Sequence, residues 1–140
     1  MPGWLIYALI SAFFAALTAI FAKAGLKDIN SDLATAVRTA IVLFITWAIV
    51  LFRGNATGIT NLSKNNWIFL TLSAFATGLS WIFYYKALQL GKASEVSAID
   101  KGSIAFTILL SFLFLKEPVT LKLLIGATLV TIGMIVIVWK

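Results

Sequence analysis

Five apolar stretches, each long enough to cross a lipid bilayer and separated from the next by a short polar turn, occupy nearly the whole chain. A helix advances about 1.5 Å per residue and the hydrocarbon core is about 30 Å thick, so roughly 20 apolar residues make one crossing. Residues 4–22, 33–52, 67–90, 96–115 and 121–139 meet that requirement. They are apolar on every face, whereas the strands of a membrane barrel alternate over about 10 residues. Backbone polar groups in hydrocarbon must be bonded within the segment, which leaves helices. The expected fold is an all-α integral membrane protein with five transmembrane helices, forming a single domain over residues 1–140. Composition argues against a water-soluble alternative: 11% of residues are charged and the mean hydropathy is +1.04, against about 25% charged in soluble domains.

The connectors agree with this division. Lys27-Asp28-Ile29-Asn30-Ser31-Asp32 is a polar turn that ends in an N-cap residue, and residues 53–66 make the longest loop. Pro118 separates the fourth helix from the fifth. Trp4, Trp67 and Trp139 fall at helix ends, where indoles favour the headgroup layer, while Trp47 and Trp81 are internal. The first span carries no basic leader or small-residue cleavage site and is expected to be retained. An odd number of spans puts the termini on opposite sides. Arg53, Lys64, Lys116 and Lys122 on one side balance Lys23, Lys27, Lys92 and Lys140 on the other, so the positive-inside rule selects no orientation. That balance suits both a chain inserting in two orientations and one whose orientation is set during insertion. Sliding the chain along itself lays Ser11-Ala12-Phe13 on Ser73-Ala74-Phe75 and Arg38 on Asp100, as a duplicated hairpin would and as two apolar helices do by chance.

Ionisable groups inside the membrane cost about 2.5–3.5 kcal/mol each on insertion scales, so they face a cavity or a partner. Arg38, Lys86, Asp100 and Lys101 fall in one layer, roughly 6–9 Å below one surface by helical rise, with Lys23 and Glu95 nearer its rim. An Arg38–Asp100 ion pair beside Lys86 reads as a gate or substrate-binding layer. It reads equally as a lock between the second and fourth helices, with the lysines snorkelling to headgroups. In the third helix Ser73, Thr77, Ser80, Trp81 and Tyr84 share one face with Tyr85 beside it, and the fourth helix presents Asp100, Ser103, Thr107 and Ser111 in a similar stripe. Such faces line a solute pathway in which rings hold and hydroxyls orient, or they bridge helices. Ser11, Ala15, Thr18, Ala22 and Gly25 in the first helix, and Gly126 and Gly133 in the fifth, mark close-packing seams, one of them a candidate dimer interface.

With no cysteine, no histidine and five scattered carboxylates, neither a metal site, a cofactor nor an enzymatic constellation is expected. The net charge of +6 comes from lysines placed singly near helix ends, which suits anionic headgroups rather than nucleic acid.

Ala87-Leu88 followed by Ala93-Ser94, then Leu115-Lys116-Glu117, then Gly126 and Gly133 together resemble the EamA domain of the drug/metabolite transporter superfamily. The resemblance is closest from Tyr84 to Met134. One departure lies at Asp100-Lys101-Gly102-Ser103-Ile104, where many members have proline. The resemblance implies a half-transporter in the cell (plasma or inner) membrane, completed by a second copy. An antiparallel homodimer is favoured over a parallel one, and it moves a small organic metabolite or drug by alternating access. The basic layer leans towards an anionic or zwitterionic solute, and the candidate pathway residues are Arg38, Thr77, Trp81, Tyr84, Asp100, Lys101 and Ser103. Helix one has no acidic residue, so the glutamate-based proton exchange of the small multidrug-resistance relatives does not transfer. A lipid-carrier flippase gripping phosphate with Lys23, Arg38 and Lys101, and a non-transporting assembly or regulatory subunit, are the other readings.

Overall fold

The computed structural model describes residues 2–139; Lys140, counted above in the charge balance, lies outside the described residues. The chain forms helices α1 (Gly3–Gly25), α2 (Ser31–Phe52), α3 (Lys64–Leu90), α4 (Ala93–Asp100), α5 (Ser103–Leu110) and α6 (Leu121–Val138), with a 3-10 turn over Ala56–Asn61 and a π turn over Ser111–Leu115. Among the described residues there is no strand. Five helical stretches are long and apolar enough to cross a membrane, α4, α5 and the π turn together making the fourth, Ala93–Leu115. Large apolar side chains stand exposed along all of them, among them Phe52 at 93% and Leu90 at 82%. Such a surface is stable only in an apolar solvent.

The helix ends show how local chemistry punctuates the apolar runs. α2 begins at Ser31 because the Asn30 side chain accepts from the backbone N–H groups of Asp32 at 2.8 Å and Leu33 at 3.2 Å, satisfying donors that the first turn leaves bare. Its other end closes as a Schellman motif. The Gly54 N–H donates to the Leu51 carbonyl and the Asn55 N–H to the Val50 carbonyl, and Gly54 takes φ +69°, a left-handed conformation that glycine adopts without steric penalty. The segment after Arg53, expected as the longest loop, is largely the 3-10 turn, and α3 starts at Lys64 rather than Trp67. At the end of the π turn Lys116 is itself left-handed (φ 56°), with its N–H and that of Glu117 both directed to the Ser111 carbonyl.

The fourth span, expected as one uninterrupted helix, changes winding at Lys101-Gly102. Successive bonds from Lys101 to Ala98, Gly102 to Ile99, Ile104 to Lys101 and Ala105 to Gly102 are of i→i−3 type, the tighter 3-10 pattern. The residues separate into two compact units, one comprising the chain through Phe21 and from Leu90 onward, the other Ala22–Gln89. In the first, α4 and α5 pack on α6. Gly102 permits this close approach, since a Cβ there would meet the Met134 sulfur at 2.7 Å and the Ile99 carbonyl oxygen at 3.0 Å. In the second, the buried residues Ala22, Leu26, Ser31, Thr35, Tyr85 and Leu88 come from the last turn of α1, the turn after it, the start of α2 and the end of α3.

Candidate functional site

α2 and α3 bring together one part of the expected pathway. The Arg38 guanidinium carbon lies 4.0 Å from the centre of the Trp81 ring and 5.6 Å from that of Tyr85. Trp81 and Tyr85 are four residues apart on α3, hence on one face, stacked a turn apart. Within this unit no carboxylate pairs with Arg38. A cation over a ring face is held by the ring quadrupole, and with no hydrogen-bond partner for Arg38 among the described residues its planar N–H fork is open to a ligand. The chemistry on offer is a partly covered, positively charged fork with planar aromatic walls, a geometry matched to a carboxylate or phosphate.

Tyr85, which the sequence places beside the polar-aromatic face, is the ring against Arg38 and is 4% exposed. Tyr84, expected in the pathway, is half-buried, with its ring tilted at 6.4 Å from Tyr85. The i, i+4 step from Trp81 was the available signal for Tyr85, but alternation of hydroxyl and aromatic residues drew the stripe one residue aside.

Below this cluster the end of α3 is tied down. The Lys23 ammonium donates to the carbonyl oxygens of Leu88 at 2.6 Å and Gln89 at 3.4 Å, and the Gln89 amide donates to the Ile29 carbonyl at 2.8 Å. A cation at the C-terminal end of a helix meets bare carbonyls and the negative end of the helix dipole. Lys23, read from the sequence as a rim residue, is therefore a helix cap.

Of the hydroxyls expected to line a pathway, the two threonines bond to their own helices. Thr77 donates to the Ser73 carbonyl at 2.8 Å and Thr107 to that of Ser103 at 2.9 Å, as Thr18, Thr35, Thr39, Thr128 and Thr131 do one turn back along theirs. Returning the proton to the i−4 carbonyl removes an unpaired donor from hydrocarbon. In the other unit the Asp100 carboxylate pairs with its neighbour Lys101 at 3.3 Å, both groups being exposed, and Glu95 pairs with Lys92 at 3.1 Å. Ser103 and Lys86 are exposed. Of the seam residues, Ser11, Ala15, Gly126 and Gly133 are exposed and Thr18 half-buried, and a Cβ added to either glycine would meet open space.

Comparison with known proteins places these features in context. The profile of the EamA-like transporter family matches residues 2–139. A Sinorhizobium protein described as an uncharacterized transporter in the cobO 3′ region is 43% identical over 131 residues, covering 94% of this chain and 93% of its own. An uncharacterized protein of Methanocaldococcus jannaschii is 41% identical over 66 residues, 47% of this chain and 48% of its own. No solved structure matches.

Proposed function

The chain belongs to the EamA-like transporter family, and from that membership we propose that it is a secondary transporter of the cell membrane, moving a small carboxylate-bearing solute by alternating access as a dimer. The observation that carries the solute class is the Arg38 guanidinium stacked 4.0 Å over Trp81 with no carboxylate partner in its own unit. A guanidinium in a membrane-spanning helix is costly to retain. With aromatic rings against it and no carboxylate partner in its unit, it favours a bidentate anion, which an ammonium could not grip in the same way. Asp100 and Lys101, paired at 3.3 Å in the other unit, supply a second charged position. The dimer is completed by a second copy, antiparallel for preference because the loop charges select no orientation. The flippase reading has less support, because the Lys23 ammonium assigned to phosphate is bound to the carbonyls that end α3.

The test is counterflow in proteoliposomes with labelled carboxylates, amino acids and organic cations. Carboxylate-bearing solutes should exchange, Arg38→Lys should raise KM about tenfold as one bidentate contact of roughly 1.5 kcal/mol is lost, and Arg38→Met should abolish exchange. Exchange restricted to cations, or unchanged in Arg38→Met, would refute this reading.

A further inference from the structure

The second unit contains a hollow that the transport reading leaves unused. It measures about 350 Å³ and lies between the end of α2, the 3-10 turn and the start of α3, with Trp47, Val50, Asn55, Ile59, Leu62 and Trp67 on its walls. Apart from Asn55 these walls are carbon and indole. The Schellman turn at Gly54 and Asn55 swings the chain sharply off α2, and the 3-10 turn then leads back into α3, so the two tryptophans flank a cleft too small for a helix but at the scale of a small-ligand site.

Its position along the chain indicates what it holds. The end of one membrane-crossing stretch and the start of the next meet the boundary between headgroups and acyl chains, where the Trp67 indole partitions, while Trp47 lies one to two turns deeper in α2 on the acyl-chain side. Trp47 and Trp67 are each about half exposed, and among the described residues neither indole N–H has a protein acceptor. Arg53, the C-cap of α2, follows the lining residue Val50 by three, and Lys64, the first residue of α3, precedes the lining residue Trp67 by three, so each cation is one turn along the chain from the wall of the hollow. Between Arg53 and Trp67 there is no acidic residue, and among the described residues neither Arg53 nor Lys64 forms an ion pair. An apolar slot, two indole donors and two uncompensated cations at one membrane boundary match one molecule in three parts: a hydrocarbon chain, ester oxygens and a phosphodiester.

We propose that this hollow binds one anionic glycerophospholipid, with an acyl chain between Trp47 and Trp67 and the headgroup phosphate reached by Arg53 and Lys64. Each cation near an anionic lipid surface contributes enough to change occupancy about five-fold. The indoles set the depth of the chain.

The full chain in nanodiscs of phosphatidylcholine, doped with a small fraction of phosphatidylglycerol brominated on its acyl chains, provides the test, with tryptophan fluorescence as the readout. Quenching by brominated phosphatidylglycerol should exceed that by brominated phosphatidylcholine at equal mole fraction, and the excess should vanish in Trp47→Phe/Trp67→Phe. Arg53→Gln and Lys64→Gln, both at exposed positions, should each lower the apparent affinity for the anionic lipid about five-fold. Equal quenching by the two lipids, or a preference untouched by both charge substitutions, would overturn the proposal. Displacement of the lipid by millimolar inorganic phosphate would overturn it too, by assigning the cations to free phosphate.

Discussion

Arg38 and Asp100 are both ionisable groups in apolar helices, yet their surroundings differ. Arg38 lies half-buried over Trp81 and beside Tyr85, whereas Asp100 is exposed and paired to the adjacent Lys101. Stacking of a guanidinium on indole contributes roughly 0.5–2 kcal/mol according to desolvation. Trp81→Leu should therefore leave insertion intact and weaken solute binding by up to about 30-fold, read as KM in counterflow. Asp100→Asn removes the charge that pairs with Lys101 and keeps the shape. It should abolish transport while the protein still inserts and purifies, and wild-type rates from that variant would end the proposed role of Asp100 in transport. Lys23 behaves otherwise. Because its ammonium is committed to the last carbonyls of α3, Lys23→Met should loosen that helix end, seen as faster amide exchange at its closing turn.

Among the elements, the fourth span carries the largest difference between expectation and structure. A continuous apolar run predicts one helix, and the chain instead overwinds at Lys101-Gly102, where Gly102 lets the turn sit against Met134 on α6. Gly102→Ala should disturb this packing and lower thermal stability in detergent. Adding Met134→Ala should restore part of the loss, since the sulfur it removes is the nearest side-chain atom to the new methyl group, a coupling that a double-mutant cycle measures. The Ile99 carbonyl at 3.0 Å cannot retreat as a side chain can, so the rescue should be incomplete. At the start of α2, Asn30→Ala removes an acceptor serving two backbone donors and should cost about 1 kcal/mol, measurable as an earlier unfolding midpoint. These end devices were partly legible: the polar turn was read as ending in a cap, at Asp32, whereas the helix is capped two residues earlier by Asn30, because it is the Asn30 oxygen that reaches the N–H groups.

At the scale of the whole chain, the proposed topology of five crossings puts the two termini on opposite membrane faces, and the balanced loop charges give no preferred direction. A reporter fused after the last residue should therefore signal from both sides of the membrane in a cell population. Signal from one side alone would exclude the antiparallel homodimer and require a parallel or unlike partner. The sequence by itself determined the number of spans, their approximate limits and the lipid environment, because burying about 20 apolar residues in hydrocarbon is a local sum that needs no knowledge of neighbours. Family membership was legible in the same way, through short motifs in fixed order. Only the tertiary structure decided that Tyr85 faces Arg38, that Lys23 caps α3 and that Gly102 seats against Met134. In helices that are apolar on every side, periodicity no longer separates a lipid-facing stripe from a protein-facing one, so the partner of each polar group is selected by contacts between helices that no single run of residues encodes.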